Sequence, residues 1–190
     1  MLMTLLFSLT VSAAPVESVV TTPHAPRVQG LWKSLEPEKI GGNVYATKEI
    51  EFTLSRWQET IFFAQDSDMK KVFLIHRSEG PFELKAGAEG APWKLDLKVS
   101  RRALNLQRVN PALAGTLGIR GCGLLPKKEV TVEIDSCGLF PATSKCPIEY
   151  EIVQNKDGRL YLGGHGMHEF KCIEAQRPST LEPMGLKKVH

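Results

Sequence analysis

The chain has 190 residues, of which 42% are hydrophobic and 24% charged, and its formal net charge is +3. The basic residues recur as isolated pairs, Lys70-Lys71, Arg101-Arg102, Lys127-Lys128 and Lys187-Lys188. A nucleic-acid binder gathers such charge on one face or element, so the scatter reads as solvated surface and argues against a nucleic-acid partner. No apolar run reaches the roughly 20 residues that a transmembrane helix needs, so no transmembrane segment is expected.

In chain order, the first feature is an apolar run from Leu5 to Val11 that ends in Ser12, Ala13 and Ala14. That is the form of a secretory signal, with cleavage after Ala13 or Ala14, although no Lys or Arg precedes the run. Residues 1–14 are therefore read as a signal peptide, and the remainder as one soluble domain, secreted or periplasmic. Residues 15–29 contain Pro15, Pro23 and Pro26 without apolar periodicity, which predicts an extended leader.

After Gly30-Leu31-Trp32 the pattern changes to period two. Ile50, Phe52 and Leu54 alternate with Glu49, Glu51 and Thr53. Trp93, Leu95, Leu97 and Val99 do so with Lys94, Asp96, Lys98 and Ser100; Val130, Val132 and Ile134 with Thr131, Glu133 and Asp135; and Ile148, Tyr150 and Ile152 with Glu149 and Glu151. Successive strand side chains point to opposite faces, so each segment predicts a strand with one wet and one buried face. Segments 56–64, 69–77 and 81–86 are β-prone with a less regular pattern, and Gly80-Pro81 marks a corner. Asn155-Lys156-Asp157-Gly158 predicts a hairpin between 148–153 and 159–162. The total is about nine strands joined by short links, as in a meander.

Residues 101–128 form the exception, a connection too long for a plain turn, in which Asn110-Pro111 can open a short helix. It is either a functional loop or a lid over one barrel end. Residues 173–190, with Pro178 and Pro183, read as a tail that follows a domain spanning 30–172.

The cysteines are Cys122, Cys137, Cys146 and Cys172. Behind a signal peptide an even number implies two disulfides. Spacings of 15, 9 and 26 contain none of the close pairs typical of structural zinc. Antiparallel pairing of strands 130–134 and 148–152 would bring Cys137 to Cys146 and leave Cys122 for Cys172.

The order of these features resembles the adenomatosis-polyposis-coli-down-regulated domain, found in an animal Wnt antagonist and in secreted bacterial proteins. The resemblance rests on Gly-x-Trp at 30–32, the strand 48–54, and Trp57 with Phe62 and Phe63. It continues through His-Arg-Ser-Glu-Gly-Pro-Phe-Glu-Leu at 76–84, Cys-Gly at 122–123, Cys-Pro-Ile-Glu-Tyr at 146–150 and Asp-Gly-Arg-Leu-Tyr-Leu-Gly at 157–163. It covers about Val28 to Gly164. It implies an all-β, antiparallel lipocalin-like barrel of about eight or nine strands, disulfide-braced, whose interior accepts a lipid chain. Gly30 and Trp32 would then be structural, the indole capping the closed end and the glycine admitting the chain beside it.

With apolar faces turned inward, Phe52, Leu54, Trp57, Phe63, Phe82, Trp93 and Leu95 would line the barrel and contact ligand. Glu59 falls on the same inner face as Trp57, Ile61 and Phe63. A carboxylate there must be paired, solvated or protonated. It would hold a ligand head group or an inward Arg, unless a bulge turns it out to water. His165 and His168 supply half a metal site with no third ligand evident, so neither metal nor cofactor is expected. Gly-x-Ser-x-Gly, His-Glu-x-x-His and phosphate-loop patterns are absent, which argues against an enzyme. The reading is a carrier of an apolar, acyl-chain-like small molecule. The alternative is a protein-binding module with a filled core that grips a partner through 101–128.

Overall fold

The period-two segments close on one another. The computed structural model describes residues 25–166 and 169–189. The expected signal peptide, the leader up to residue 24 and His168 lie outside the described residues. Eleven strands form one sheet: β1 (Gly30–Lys33), β2 (Glu38–Gly41), β3 (Val44–Phe52), β4 (Arg56–Ala64), β5 (Val72–Lys85), β6 (Trp93–Lys98), β7 (Arg101–Leu106), β8 (Glu129–Thr131), β9 (Ile148–Lys156), β10 (Arg159–Leu162) and β11 (Leu186–Val189). Eight of these make a closed antiparallel barrel. Its order is β1-β3-β4-β5-β6-β9-β10-β11, and β11 pairs back onto β1. Closure leaves no unpaired edge on the barrel. No helix among the described residues is long and apolar enough to cross a membrane.

The path is a meander with two excursions. β2 pairs with the first half of β3, and β7 pairs with the first half of β5 and carries β8 on its far side. The sheet β2-β3-β4-β5-β7-β8 thus runs on past the barrel and wraps a second core. The barrel core contains Val28, Trp32, Ile50, Phe52, Trp57, Leu95, Leu97, Val153 and Leu160. The second contains Val44, Ala46, Ile61, Phe63, Phe73, Leu74 and Leu104, covered by Leu113, Leu117 and Phe140. Leu113 and Leu117 belong to, or directly follow, the helix α1 (Pro111–Thr116). The Asn110 side chain accepts a hydrogen bond from the Leu113 N–H at 3.2 Å, as an N-cap does. Residues 101–128 therefore hold a strand and a capped helical turn that seals the second core.

Trp32 belongs to the barrel core. It is buried, its Nε1 donates to the Val28 carbonyl at 2.6 Å, and the Lys188 ammonium lies 5.4 Å from its ring. Gly30 has φ 116°, and a Cβ there would lie 2.6 Å from Lys188 Cε. Only glycine accepts both that backbone and the crossing lysine stem.

Several expectations need correction. Leu54 does not line the barrel; it is 91% exposed. β3 ends at Phe52, and the turn closed by Thr53 N–H to the Arg56 carbonyl takes Leu54 off the alternating path. Gly80-Pro81 does not break the chain into two strands. β5 runs through it, exchanging β7 for β6 as its neighbour there. A Cβ on Gly80 would meet the Lys98 carbonyl at 1.8 Å, so the glycine lets two backbones touch. The segment 130–134 is strand only to Thr131, and Ile134 is exposed. The segment 173–190 is not merely a tail, because β11 completes the barrel.

The disulfides are Cys122–Cys137 and Cys146–Cys172, not the pairing expected. β8 and β9 are not neighbours: β8 pairs with β7, and β9 with β6 and β10. Leu139 N–H instead bonds the Leu117 carbonyl, which holds the Cys137 turn against the segment after α1 and next to Cys122. The structure is thus all-β with a β-barrel and two disulfides, and such bridges persist in oxidising compartments, extracellular or periplasmic.

Candidate functional site

Where the two cores meet, five strands turn polar side chains inward. On β3 the inward row reads Phe52, Ile50, Lys48, Ala46, Val44, and on β4 it reads Trp57, Glu59, Ile61, Phe63. β5 contributes Ser78 and His76, β7 contributes Arg102, and β9 contributes Glu149 and Glu151, all buried. Register aligns them, since Glu59 lies opposite Ser78 and Ser78 opposite Arg102. The alternation on β9 is thus inverted from the expected one: its glutamates face in, while Ile148 and Tyr150 are only half-buried. Arg102 likewise is no surface residue; it is 0% exposed.

Each charge in this layer has a partner. Lys48 Nζ lies 3.2 Å from Glu59 Oε2. Glu59 therefore points inward, with a lysine rather than an arginine as its mate. Burial works against the Lys48 ammonium, but Glu59, Glu151 and Glu182 outweigh it and hold its pKa above the ordinary lysine value. Arg102 pairs with Glu149 and donates to Ser78 Oγ at 3.2 Å and to the Pro141 carbonyl at 2.6 Å, with its guanidinium 5.0 Å from the Phe170 ring centre. Ser78 Oγ accepts from Arg102 and is also hydrogen-bonded to His76 Nε2 at 3.1 Å. Burial, Arg102 and Lys48 hold the His76 pKa well below its usual value, so the ring is neutral. Burial pushes the Glu149 carboxyl up to about 7, aided by Glu59 and Glu151 and opposed by Arg102.

His165 ends the layer. One ring nitrogen faces a Glu151 carboxylate oxygen and the other the Gly166 carbonyl, both acceptors, so both nitrogens donate and the ring is an imidazolium. Burial opposes that charge, but Glu151 and the Gly166 carbonyl outweigh it and raise the pKa. Glu151 also accepts from Gly163 N–H at 3.1 Å. Since the folded pKa exceeds the unfolded one, this stabilisation is complete below about pH 6.5 and is lost as pH rises through the folded value. The slope of urea stability against pH above 6.5 should flatten in His165→Gln. An unaltered slope would show that another group titrates there.

The layer and the two cores fill the lumen. Phe52, Trp57, Phe63 and Leu95 are almost wholly buried, and Phe82 and Trp93 pack half-buried against the barrel core. Phe52 and Phe82 meet edge to face at 5.2 Å. The gap among Lys48, Glu59, Glu149, Glu151, His165 and Phe170 measures about 10 Å³, no more than one water needs. Apart from exposed Leu54 and the ion-paired Glu59, the expected lining residues are thus split between two packed cores, and among the described residues they do not line a shared cavity.

Open space lies instead at the barrel mouth, on the outer side of His165. A cleft of about 460 Å³ is bounded by Ser34, Leu35, Glu36 and Glu38 on one side and by Thr180, Leu181, Glu182, Pro183, Met184 and Leu186 on the other. Its floor is Gly164, His165 and Gly166. Ser34 fixes the first wall, its hydroxyl bonding the Lys48 carbonyl at 3.2 Å and N–H at 2.8 Å. Backbone bonds fix the second, from Gly164 N–H to the Thr180 carbonyl and from Glu182 N–H to the Leu162 carbonyl. Arg177 anchors the segment between, donating to the Leu95 and Glu151 carbonyls and to Asp96, with its guanidinium over Tyr150.

Sequence reasoning missed this cleft because its walls lie in irregular segments with no period to read. Among the described residues no group of three or more His, Cys, Asp or Glu side chains is placed to hold a metal ion. Compared with known proteins, the chain matches no family model and no curated protein.

Proposed function

We propose that the chain is a binding protein, not an enzyme, and that it takes an apolar small molecule in the cleft at the barrel mouth. The observation that carries this is the contrast between a lumen with room for one water and a 460 Å³ cleft whose walls leave Leu35 and Met184 about half exposed. Ligand sites are typically concave, mostly apolar and about 300–1,000 Å³. An acyl chain laid there would gain about 0.8 kcal/mol for each methylene buried. The resemblance to the adenomatosis-polyposis-coli-down-regulated domain, the signal-like N-terminus and the two disulfides support a secreted or periplasmic lipid-binding member of that family.

The test is uptake of a polarity-sensitive dye. One dye should bind per chain, Met184→Asp should abolish binding, and Phe82→Ala, on the barrel wall, should leave it intact. Loss of binding in Phe82→Ala with none in Met184→Asp would return the ligand to the lumen.

A second reading, a protein-binding module, is favoured by one observation. Val109, Leu125, Ile134 and Leu139 are exposed apolar residues in and around the Cys122–Cys137 segment. Such exposure suits a partner rather than a solvated loop.

A further inference from the structure

We infer that the occupant of the mouth cleft is an organic cation, an ammonium carried on an apolar body, rather than a fatty acid. The inference rests on the cleft being the binding site and adds the charge of what it binds.

Three carboxylates, Glu36, Glu38 and Glu182, stand among the apolar walls, and among the described residues no Lys or Arg lines the cleft. Among the described residues the one cation in its surface, His165, is already matched by Glu151. Lys48, the nearest ammonium behind the wall, is matched by Glu59. Glu182 is half-buried, and its carboxyl has neither an ion pair nor a hydrogen bond among the described residues. Lys48 and His165 act on it only at longer range, so part of its desolvation cost is left for an incoming ammonium to offset. Burial in this environment, with Glu38 and Glu151 adding to it against Lys48 and His165, already lifts the Glu182 carboxyl above its ordinary range. An ammonium at the cleft would oppose that shift.

Lysines lie next door, in a groove bounded by Lys33, Lys187 and Lys188 that shares only Ser34 and Leu35 with the cleft. Lys33 is bound to Glu49 at 2.6 Å, and Lys188 lies over Trp32. A carboxylate head would therefore have to turn away from the cleft towards Lys187.

Calorimetry at neutral pH with ligands of one chain length separates the cases: decyltrimethylammonium, decylamine, decanoate and decanol, each kept below micelle formation. The two cations should bind one to one and about tenfold or more tighter than the other two, the gain of one charge-assisted contact. Glu182→Gln and Glu38→Gln should each erase most of that preference with unchanged circular dichroism. Equal binding of all four would overturn the charge inference and leave the cleft reading standing. Preference for decanoate, lost in Lys187→Ala, would overturn it in favour of the neighbouring groove. Binding of none would overturn the cleft reading itself.

Discussion

Arg102→Met is expected to destabilise the protein by about 4 kcal/mol, because removing one member of a buried ion pair strands the other. Arg102 is fully buried and serves Glu149, Ser78 and the Pro141 carbonyl at once. In a domain of this size such a loss lowers the melting temperature by roughly 8–16 °C. Arg102→Met with Glu149→Leu should recover part of it, since an apolar pair removes the stranded charge. Recovery stays incomplete because the Pro141 carbonyl still lacks its donor.

The deficit should also depend on pH. The Glu149 carboxyl already sits at about 7 in the folded chain, above its ordinary value of 4.5. Its stabilising contribution is therefore complete below the ordinary carboxylate range and is lost as pH climbs to about 7. Without Arg102 the folded pKa rises further, so Arg102→Met should cost less at pH 5 than at pH 8. A deficit equal at both pH values, and unchanged by Glu149→Leu, would show that packing and not charge pairing sets the cost. Guanidinium melts of the four proteins at the two pH values decide it.

Removing the Cys146–Cys172 bridge by a double alanine substitution should cost about 3.5 kcal/mol, the chain-entropy value for a 26-residue loop. The bridge ties the start of β9 to the segment holding Phe170 against Arg102 and His76. Tyr150 N–H bonds the Lys171 carbonyl in the same tie. The loss should thus be less than additive with Arg102→Met, because both changes loosen one layer. Full additivity would show that bridge and layer are independent. A non-reducing peptide map should recover Cys122 with Cys137 and Cys146 with Cys172. Recovery of Cys137 with Cys146 would contradict the fold around β8.

The period-two pattern was enough to read antiparallel strands, since alternation marks a strand even where, as on β9, it leaves open which face is buried; the barrel was what the resemblance implied. The pattern placed β3, β4, β6, β9 and β10 to within a few residues, with the Asp157-Gly158 hairpin between the last two. Gly30 and Trp32 stood out through the resemblance; the structure buries the indole and leaves a Cβ at Gly30 against Lys188. Glu59 stood out as a charge in an apolar row. Lys48, Arg102, Glu149 and Glu151 did not, because each sits in a stretch where an outward reading is equally regular.

What determines whether a charge faces in or out is the set of partners that closure delivers, and those come from residues up to 47 positions away, as Glu149 does for Arg102. The disulfide pairing followed the same rule, since it depended on β8 joining β7 and not β9. The mouth cleft was decided only by tertiary structure. Its two walls are irregular segments more than 140 residues apart, Ser34 and Thr180 among them, brought together when β11 pairs with β1. Local sequence sets periodicity and turn chemistry, whereas a cavity is the space left between segments after the long-range pairs have formed.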